Sequence, residues 1–131
     1  MIKVVCGIIY QQDNIFICRR KEGKSLSGFW EFPGGKIEDG EKHEESLKRE
    51  LMEELKMEVD VIGYFDTAIH HYQGFSIELI AYKCTLVRWE HYLSDHDRFN
   101  WVSPKVLTQW KLAPADIPLA EKLRQKAGSN I

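Results

Sequence analysis

The chain has 131 residues, 44% of them hydrophobic, and 18 basic against 20 acidic side chains for a net charge of −2. That length and apolar content suit one domain spanning 1–131 with a sizeable core, and the dispersed basic residues lack the electrostatic footprint of a protein that holds long nucleic acid. Cys6, Cys18 and Cys84 are odd in number, widely spaced and without a C-x-x-C, which argues against a disulfide framework or a zinc site and leaves reduced core thiols. The apolar run from Ile2 to Tyr10 is too short to span a membrane and no small-residue cleavage site follows it. A cytoplasmic protein with no membrane partner is expected.

In chain order, the Val- and Ile-rich Lys3 to Tyr10, the polar Gln11 to Asn14 and Ile15 to Cys18 read as strand, turn and strand. Arg19 to Gly28 reads as a basic loop, and Phe32-Pro33-Gly34-Gly35-Lys36 as a sharp turn whose paired glycines let backbone groups approach a ligand. A helix is predicted to start near His43 to Ser46 and to stop near Lys56, where Val59, Val61 and Ile62 switch the preference to strand. Val61 to Tyr72 and Phe75 to Val87 form an antiparallel pair about Gln73-Gly74. Phe99 to Val102 reads as a short strand, Pro104 to Trp110 as a short helical segment, and Asp116 to Lys126 as a closing helix with Leu119 and Leu123 inward. No repeat or linker is present, and helices interrupting a mixed sheet place the chain in the α/β class.

The most informative feature is acidic. On a helix advancing about 100° per residue, Glu50, Glu53 and Glu54 share one face, next to the apolar stripe of Leu47, Leu51 and Leu55. Like charges at that spacing repel, and a hard divalent ion such as Mg²⁺ or Mn²⁺, acting together with substrate phosphates, is the natural answer. Glutamate-rich helices are ordinarily solvated faces with weak surface pairs. Against that stands a long pattern with fixed gaps, running through Gly35, Glu41, Arg49-Glu50 and Glu53-Glu54.

Gly35 to Met57 resembles the Nudix box, G-x5-E-x7-R-E-U-x-E-E-x-G-U with U aliphatic, at every fixed position but one, since Lys56 stands where the family has its last glycine. The likeness extends to residues 2–20, to Trp30 to Lys36 and to Leu112-Ala113-Pro114-Ala115-Asp116-Ile117-Pro118-Leu119, and it is similar to the MutT-type hydrolases, with the last segment most like the CTP pyrophosphohydrolase branch. The resemblance implies an α/β/α sandwich with a mixed sheet.

It also implies roles. Glu50 and Glu54 would be the principal metal ligands, with Glu53 in the same cluster, the Gly34 carbonyl as a further oxygen and Glu50 activating water. Arg49 would orient the carboxylates and Glu41 support the loop and metal shell. Relatives add a loop glutamate six residues before a tryptophan; counting from Trp101 this chain has Asp95, with Asp97 as its alternative. Arg20 matches a phosphate-contacting position, which Arg19 or Lys36 could assist. Glu31, Phe32, Pro33, Gly34 and Asp116 fall on the substrate side, and Asp116 stands where enzymes specific for oxidised guanine have asparagine. A carboxylate there would accept from the amino group of cytosine; capping of the following helix is the structural alternative. His70, His71, His91 and His96 read as surface or loop histidines. Phe29, Trp30 and Trp110 read as core aromatics or as the lining of a base pocket.

Polyphosphates repel nucleophiles, so hydrolysis needs charge-neutralising metal, a group for the water and cations for the leaving phosphates. The expectation is a Mg²⁺-dependent nucleoside triphosphate pyrophosphohydrolase, with Mn²⁺ able to substitute, preferring CTP, dCTP or 5-methyl-dCTP and releasing a nucleoside monophosphate and pyrophosphate. Its rivals are an 8-oxo-dGTP-sanitising enzyme, a non-catalytic nucleotide-sensing module and a hydrolase of ADP-ribose or dinucleoside polyphosphates. The chain would act as a monomer or a homodimer.

Overall fold

Val5, Cys6, Ile8 and Ile9 are all buried, so the first strand is covered on both faces and belongs to the middle of a layered fold. In the computed structural model, which describes residues 1–128 and so leaves 129–131 of the expected span outside, that strand is β1 (Ile2–Gln11). It is followed by β2 (Asn14–Arg20), β3 (Trp30–Glu31), β4 (Gly34–Lys36), helix α1 (His43–Leu55), β5 (Glu58–Tyr72), β6 (Phe75–Arg88), β7 (His96–Val102) and helix α2 (Ile117–Gly128). Two 3₁₀ turns, Pro104–Gln109 and Pro114–Asp116, precede α2.

The sheet is mixed. β1 runs parallel to β6 from Ile2↔Ile77 to Tyr10↔Thr85, while β5 with β6, β2 with β7, β2 with β3 and β1 with β4 are antiparallel. Alternate β1 side chains feed two cores. Cys6 and Ile8 join Leu119, Ala120 and Leu123 of α2, whereas Val5 and Ile9 join Leu47, Leu51 and Leu55 of α1. A helix therefore covers each face, giving the α/β/α sandwich.

Local chemistry explains the element ends. α1 closes at Lys56, which adopts the left-handed conformation at φ 51°, with Lys56 N–H on the Met52 carbonyl at 3.0 Å and Met57 N–H on that of Leu51 at 3.2 Å. That reversal feeds directly into β5, so the strand begins at Glu58, three residues before the sequence expectation. Ser103 caps the turn at Pro104 by accepting the Lys105 amide, and the segment stays 3₁₀. β3 and β4 are too short for alternation to reveal them and emerge only through their partners. No helix among the described residues is long and apolar enough to cross a membrane.

Candidate active site

β1 and β2 are joined only at Tyr10↔Ile15 and Gln11↔Asn14. Beyond that they splay, and Trp30 to Lys36 fills the fork: Trp30 and Glu31 pair with Arg19 and Cys18, while Gly34 to Lys36 pair with Cys6 to Val4. Gly34 is sterically required, since a Cβ there would overlap the Val5 carbonyl, and a Cβ on Gly35 would push the Glu50 carboxylate aside. The C-terminal segment docks on the same fork, with Trp30 N–H on the Lys111 carbonyl and Ala113 N–H on the Trp30 carbonyl, both at 2.8 Å. A cleft of about 570 Å³ results, bordered by Glu50, Glu54 and Asp95, by Arg20 and Lys36, and by Glu31 and Asp116. Phe32 and Gly34 also border it.

The leucine stripe of α1, fully buried, turns Glu50 and Glu54 toward this cleft. Arg49 sits at the centre of a carboxylate network: Nε and Nη2 donate to Glu41 at 2.7 and 2.9 Å, and Nη1 to Glu50 at 3.0 Å and Glu53 at 3.1 Å. The Arg49 hydrogen bonds, with the Glu38 amide, hold the Glu41 carboxyl down at about 2. Glu53 stays on the rim, its side chain 59% exposed and its recorded bond spent on Arg49. Pro33 is buried and outside the cleft lining, its carbonyl taking the Gly7 amide at 2.9 Å.

Glu54 is the most perturbed acid of this group. Burial, then the negative charges of Asp95, Glu50 and Glu31, push its carboxyl up to about 8. Burial also raises Glu50, against the opposing pull of Arg49. Asp95 is buried in part, but Ser94 at 3.2 Å and Lys24 at 3.4 Å outweigh that cost and keep its carboxyl low. Asp97 is gripped by Arg19 through two bonds of 2.8 and 2.9 Å, which removes both from the cleft's chemistry.

Among the described residues, no group of three or more His, Cys, Asp or Glu side chains is drawn together tightly enough to hold a metal ion. The helix alone thus does not preassemble the expected cluster, and Arg49 draws Glu53 and Glu50 to itself. The donor set nevertheless fits a hard divalent cation. Glu50, Glu54 and Asp95 bring hard oxygen donors to one cleft, and after burial it is the neighbouring charges of Asp95 and Glu50 that raise the Glu54 carboxyl.

At the fork, Glu31 Oε2 accepts from Arg20 Nη1 at 3.3 Å and from His96 Nε2 at 2.8 Å. Arg20 is further held by Ser25, through its carbonyl at 2.7 Å and its hydroxyl at 3.3 Å. Asp116 is buried and accepts the Phe32 amide on Oδ2 at 2.8 Å, so its recorded bond reaches 84 residues away rather than capping α2. Burial first, and the Glu31 charge second, raise the Asp116 carboxyl well above the ordinary aspartate range.

His96 corrects the reading of surface histidines: it is 3% exposed, and its Nδ1 is buried without a partner. Sequence gave no warning, because a histidine three residues before an expected strand looks like loop. Its pairing with Arg20 pulls it into β7. Trp30 and Trp110 pack edge to face at 4.8 Å against the α2-side core, outside the cleft lining.

A mixed sheet between two helices, with a glycine turn pressed on an Arg- and Glu-bearing helix, defines a class, and residues 4–122 match the model of the NUDIX domain. The chain belongs to the Nudix family. It is an enzyme, a hydrolase of that family. It is 37% identical over 121 residues to the CTP pyrophosphohydrolase of Escherichia coli K12, covering 92% of this chain and 90% of that one. It is 36% identical over 95 residues to the 8-oxo-dGTP diphosphatase of Proteus vulgaris, covering 72% and 83%. Its fold superposes on the solution structure of MutT from methicillin-resistant Staphylococcus aureus 252 with a TM-score of 0.75 at 38% identity, covering 95% and 96% of the two chains.

Proposed function

We propose that the protein is a Mg²⁺-dependent nucleoside triphosphate pyrophosphohydrolase that prefers cytidine nucleotides: CTP, dCTP or 5-methyl-dCTP. The observation that carries this reading is one cleft bordered by the acids Glu50, Glu54 and Asp95, by the carboxyls of Glu31 and Asp116, and by the cations of Arg20 and Lys36. Glu50, Glu54, Asp95 and the Gly34 carbonyl would hold the ion, with Glu53 available from the rim. A bound divalent ion supplies charge neutralisation for the polyphosphate and lowers the cost of forming the nucleophile from water. Arg20 and Lys36 offset phosphate charge. Arg49 sets the direction of the Glu50 carboxylate, the group assigned to the attacking water's proton, and Glu41 in turn fixes Arg49.

The base end favours cytosine on hydrogen-bonding grounds. Glu31, as a carboxylate, accepts from the exocyclic amino group, and Asp116, whose carboxyl burial raises well above the ordinary range, donates when protonated to a ring nitrogen acceptor. This differs from a plain carboxylate at Asp116, the form expected from sequence. The similarity to a CTP pyrophosphohydrolase supports the same choice. The second reading, 8-oxo-dGTP hydrolysis, is supported by the diphosphatase relatives.

Comparing kcat/KM for CTP, dCTP, 5-methyl-dCTP, dGTP and 8-oxo-dGTP with Mg²⁺ separates them. Cytidine nucleotides should lead; dominance of 8-oxo-dGTP replaces the first reading with the second. Intact nucleotide after prolonged incubation despite measurable binding would instead mean a sensor. The same assays with gel filtration tell whether a monomer or a homodimer is the active form.

A further inference from the structure

His96 is the one described residue with a buried polar side-chain atom lacking any partner, and that residue also touches the base end of the cleft. Its Nε2 can only be the donor in the 2.8 Å contact, because the Glu31 carboxylate accepts. Nδ1 is then left buried with nothing to satisfy it, a burden a purely structural core position would shed by carrying an apolar residue.

The backbone is arranged to deliver this contact. β2 and β7 keep step through Arg19↔Arg98, but Arg20 then pairs with His96, so the register shift between Arg19 and Arg20 leaves Asp97 over. Shifts of this kind re-aim side chains beside sites. Asp97 goes to Arg19 near the surface, and His96 goes inward to Glu31. His96 and Arg20 both donate to the same oxygen, Oε2, which leaves Oε1 as the oxygen for a ligand.

We infer that His96 is a positioning residue for nucleotide selection: by holding Glu31 Oε2 from inside the fold, it fixes the direction in which the carboxylate meets the base. The inference rests on the proposed base-reading role of Glu31. Arg20 alone cannot do this work, since its contact is longer and it is tied to Ser25 and, in the proposed reaction, to phosphate. Two donors of different origin make the orientation independent of substrate phosphates.

Three variants test it, with kcat and KM measured for CTP and dGTP in Mg²⁺ and a thermal melt for each. His96→Asn carries an amide too short to reach Oε2. It should raise KM for the preferred nucleotide about tenfold, the loss of one hydrogen bond to a charged group, while kcat changes by less than about twofold and the CTP to dGTP ratio narrows. His96→Gln, whose longer amide can occupy the position of Nε2–H, should restore both KM and the ratio. A merely structural role would lower the melting temperature without this split. If His96→Asn keeps the ratio while Glu31→Gln collapses it, the inference falls and the base-reading role of Glu31 stands. If Glu31→Gln keeps the ratio, the base-reading role falls and takes the inference with it. In the wild-type protein the His96 Nε2–H resonance should shift when a non-hydrolysable CTP analogue binds; an unmoved resonance overturns the inference without any variant having to fold.

Discussion

Arg49 grips Glu41 with two parallel bonds, Nε to Oε2 at 2.7 Å and Nη2 to Oε1 at 2.9 Å, and so ties the helix to the loop that leads into it. A guanidinium can make this fork and still reach Glu50 with Nη1; an ammonium is a single point charge and cannot. Arg49→Lys should therefore keep the fold and lower kcat/KM by about 10–100-fold, the usual cost of losing a group that orients metal ligands. Assays across a Mg²⁺ series check it, and the loss should shrink as the ion approaches saturation.

Glu54 gives a calorimetric signature. In the ion-free protein its carboxyl stands at about 8, raised by burial and then by Asp95 and Glu50, so near neutral pH most molecules carry the proton. At the proposed metal site coordination by Glu54 requires the carboxylate, so binding of Mg²⁺ there would expel that proton. Titration calorimetry at pH 7 in two buffers of different ionisation enthalpy should show release of between half a proton and one proton per site, by about the Henderson–Hasselbalch fraction. Glu54→Gln should abolish it. The sign for stability follows: the folded carboxyl is raised above the ordinary 4.5, so its contribution is complete below that value and is lost as pH rises through about 8. Added Mg²⁺ should raise Tm more at pH 8 than at pH 6.

The three cysteines are buried and free, and burial raises all their thiols, Cys84 up to about 12. Thiolate is the reactive form. A disulfide-exchange reagent at pH 8 should modify none of them in the native protein within minutes and all of them after unfolding. Because the folded Cys84 thiol lies above its ordinary value of 9, its contribution to stability is complete below pH 9 and is lost as pH rises toward 12. Cys84→Ala should flatten that alkaline slope.

Lys56 shows what a departure from a family pattern means physically. The left-handed cap costs a side-chain-bearing residue about 1–2 kcal/mol, and the Lys56 ammonium over the Tyr92 ring at 4.4 Å offsets part of it. Such an exposed contact contributes about 0.5–1 kcal/mol. Lys56→Gly relieves the backbone and forfeits the ring contact, so stability should stay within about 1 kcal/mol of the parent, with kcat unchanged. Lys56→Val keeps the strain, adds a branched Cβ and loses the contact; it should lose about 2 kcal/mol. Denaturant melts measure both.

What could be read from the chain depended on whether the signal was local. The α1 helix was legible because Leu47, Leu51 and Leu55 repeat at helical spacing, and the antiparallel β5 and β6 because Gly74, at φ 90°, marks their turn. The acidic face and its direction were legible for the same reason. The separation of Asp95 from Asp97 was not, since it follows from Arg19 claiming Asp97 across 78 residues. Glu53 on the rim and Pro33 behind the cleft were hidden likewise, because position within a motif does not fix which rotamer or backbone face meets solvent. His96 was misread because its burial comes from pairing with β2, a contact no local pattern carries.

Asp116 offers the sharpest test of the base end. Its Oδ2 accepts the Phe32 amide at 2.8 Å, and an asparagine oxygen can do the same, so Asp116→Asn preserves the contact that locks the C-terminal segment onto the fork. It removes the carboxyl that burial first and Glu31 second raise well above the ordinary 3.8. In the parent, that raised value means the Asp116 contribution to stability is complete below pH 3.8 and declines as pH climbs through the folded value; the amide has no such decline. The variant should therefore melt higher than the parent at alkaline pH, by on the order of 1 kcal/mol or a few degrees, and the gap should close in acid. With its oxygen on the Phe32 amide the asparagine can only donate, at every pH, whereas the carboxyl donates only while protonated, so the kcat/KM ratio of CTP to dGTP should match the parent's in acid and part from it by about tenfold as pH climbs through the folded Asp116 value. Calorimetric Mg²⁺ affinity should not move, since Glu50, Glu54 and Asp95 are untouched. An unchanged nucleotide ratio with the expected gain in alkaline stability would leave Asp116 as a structural tie alone.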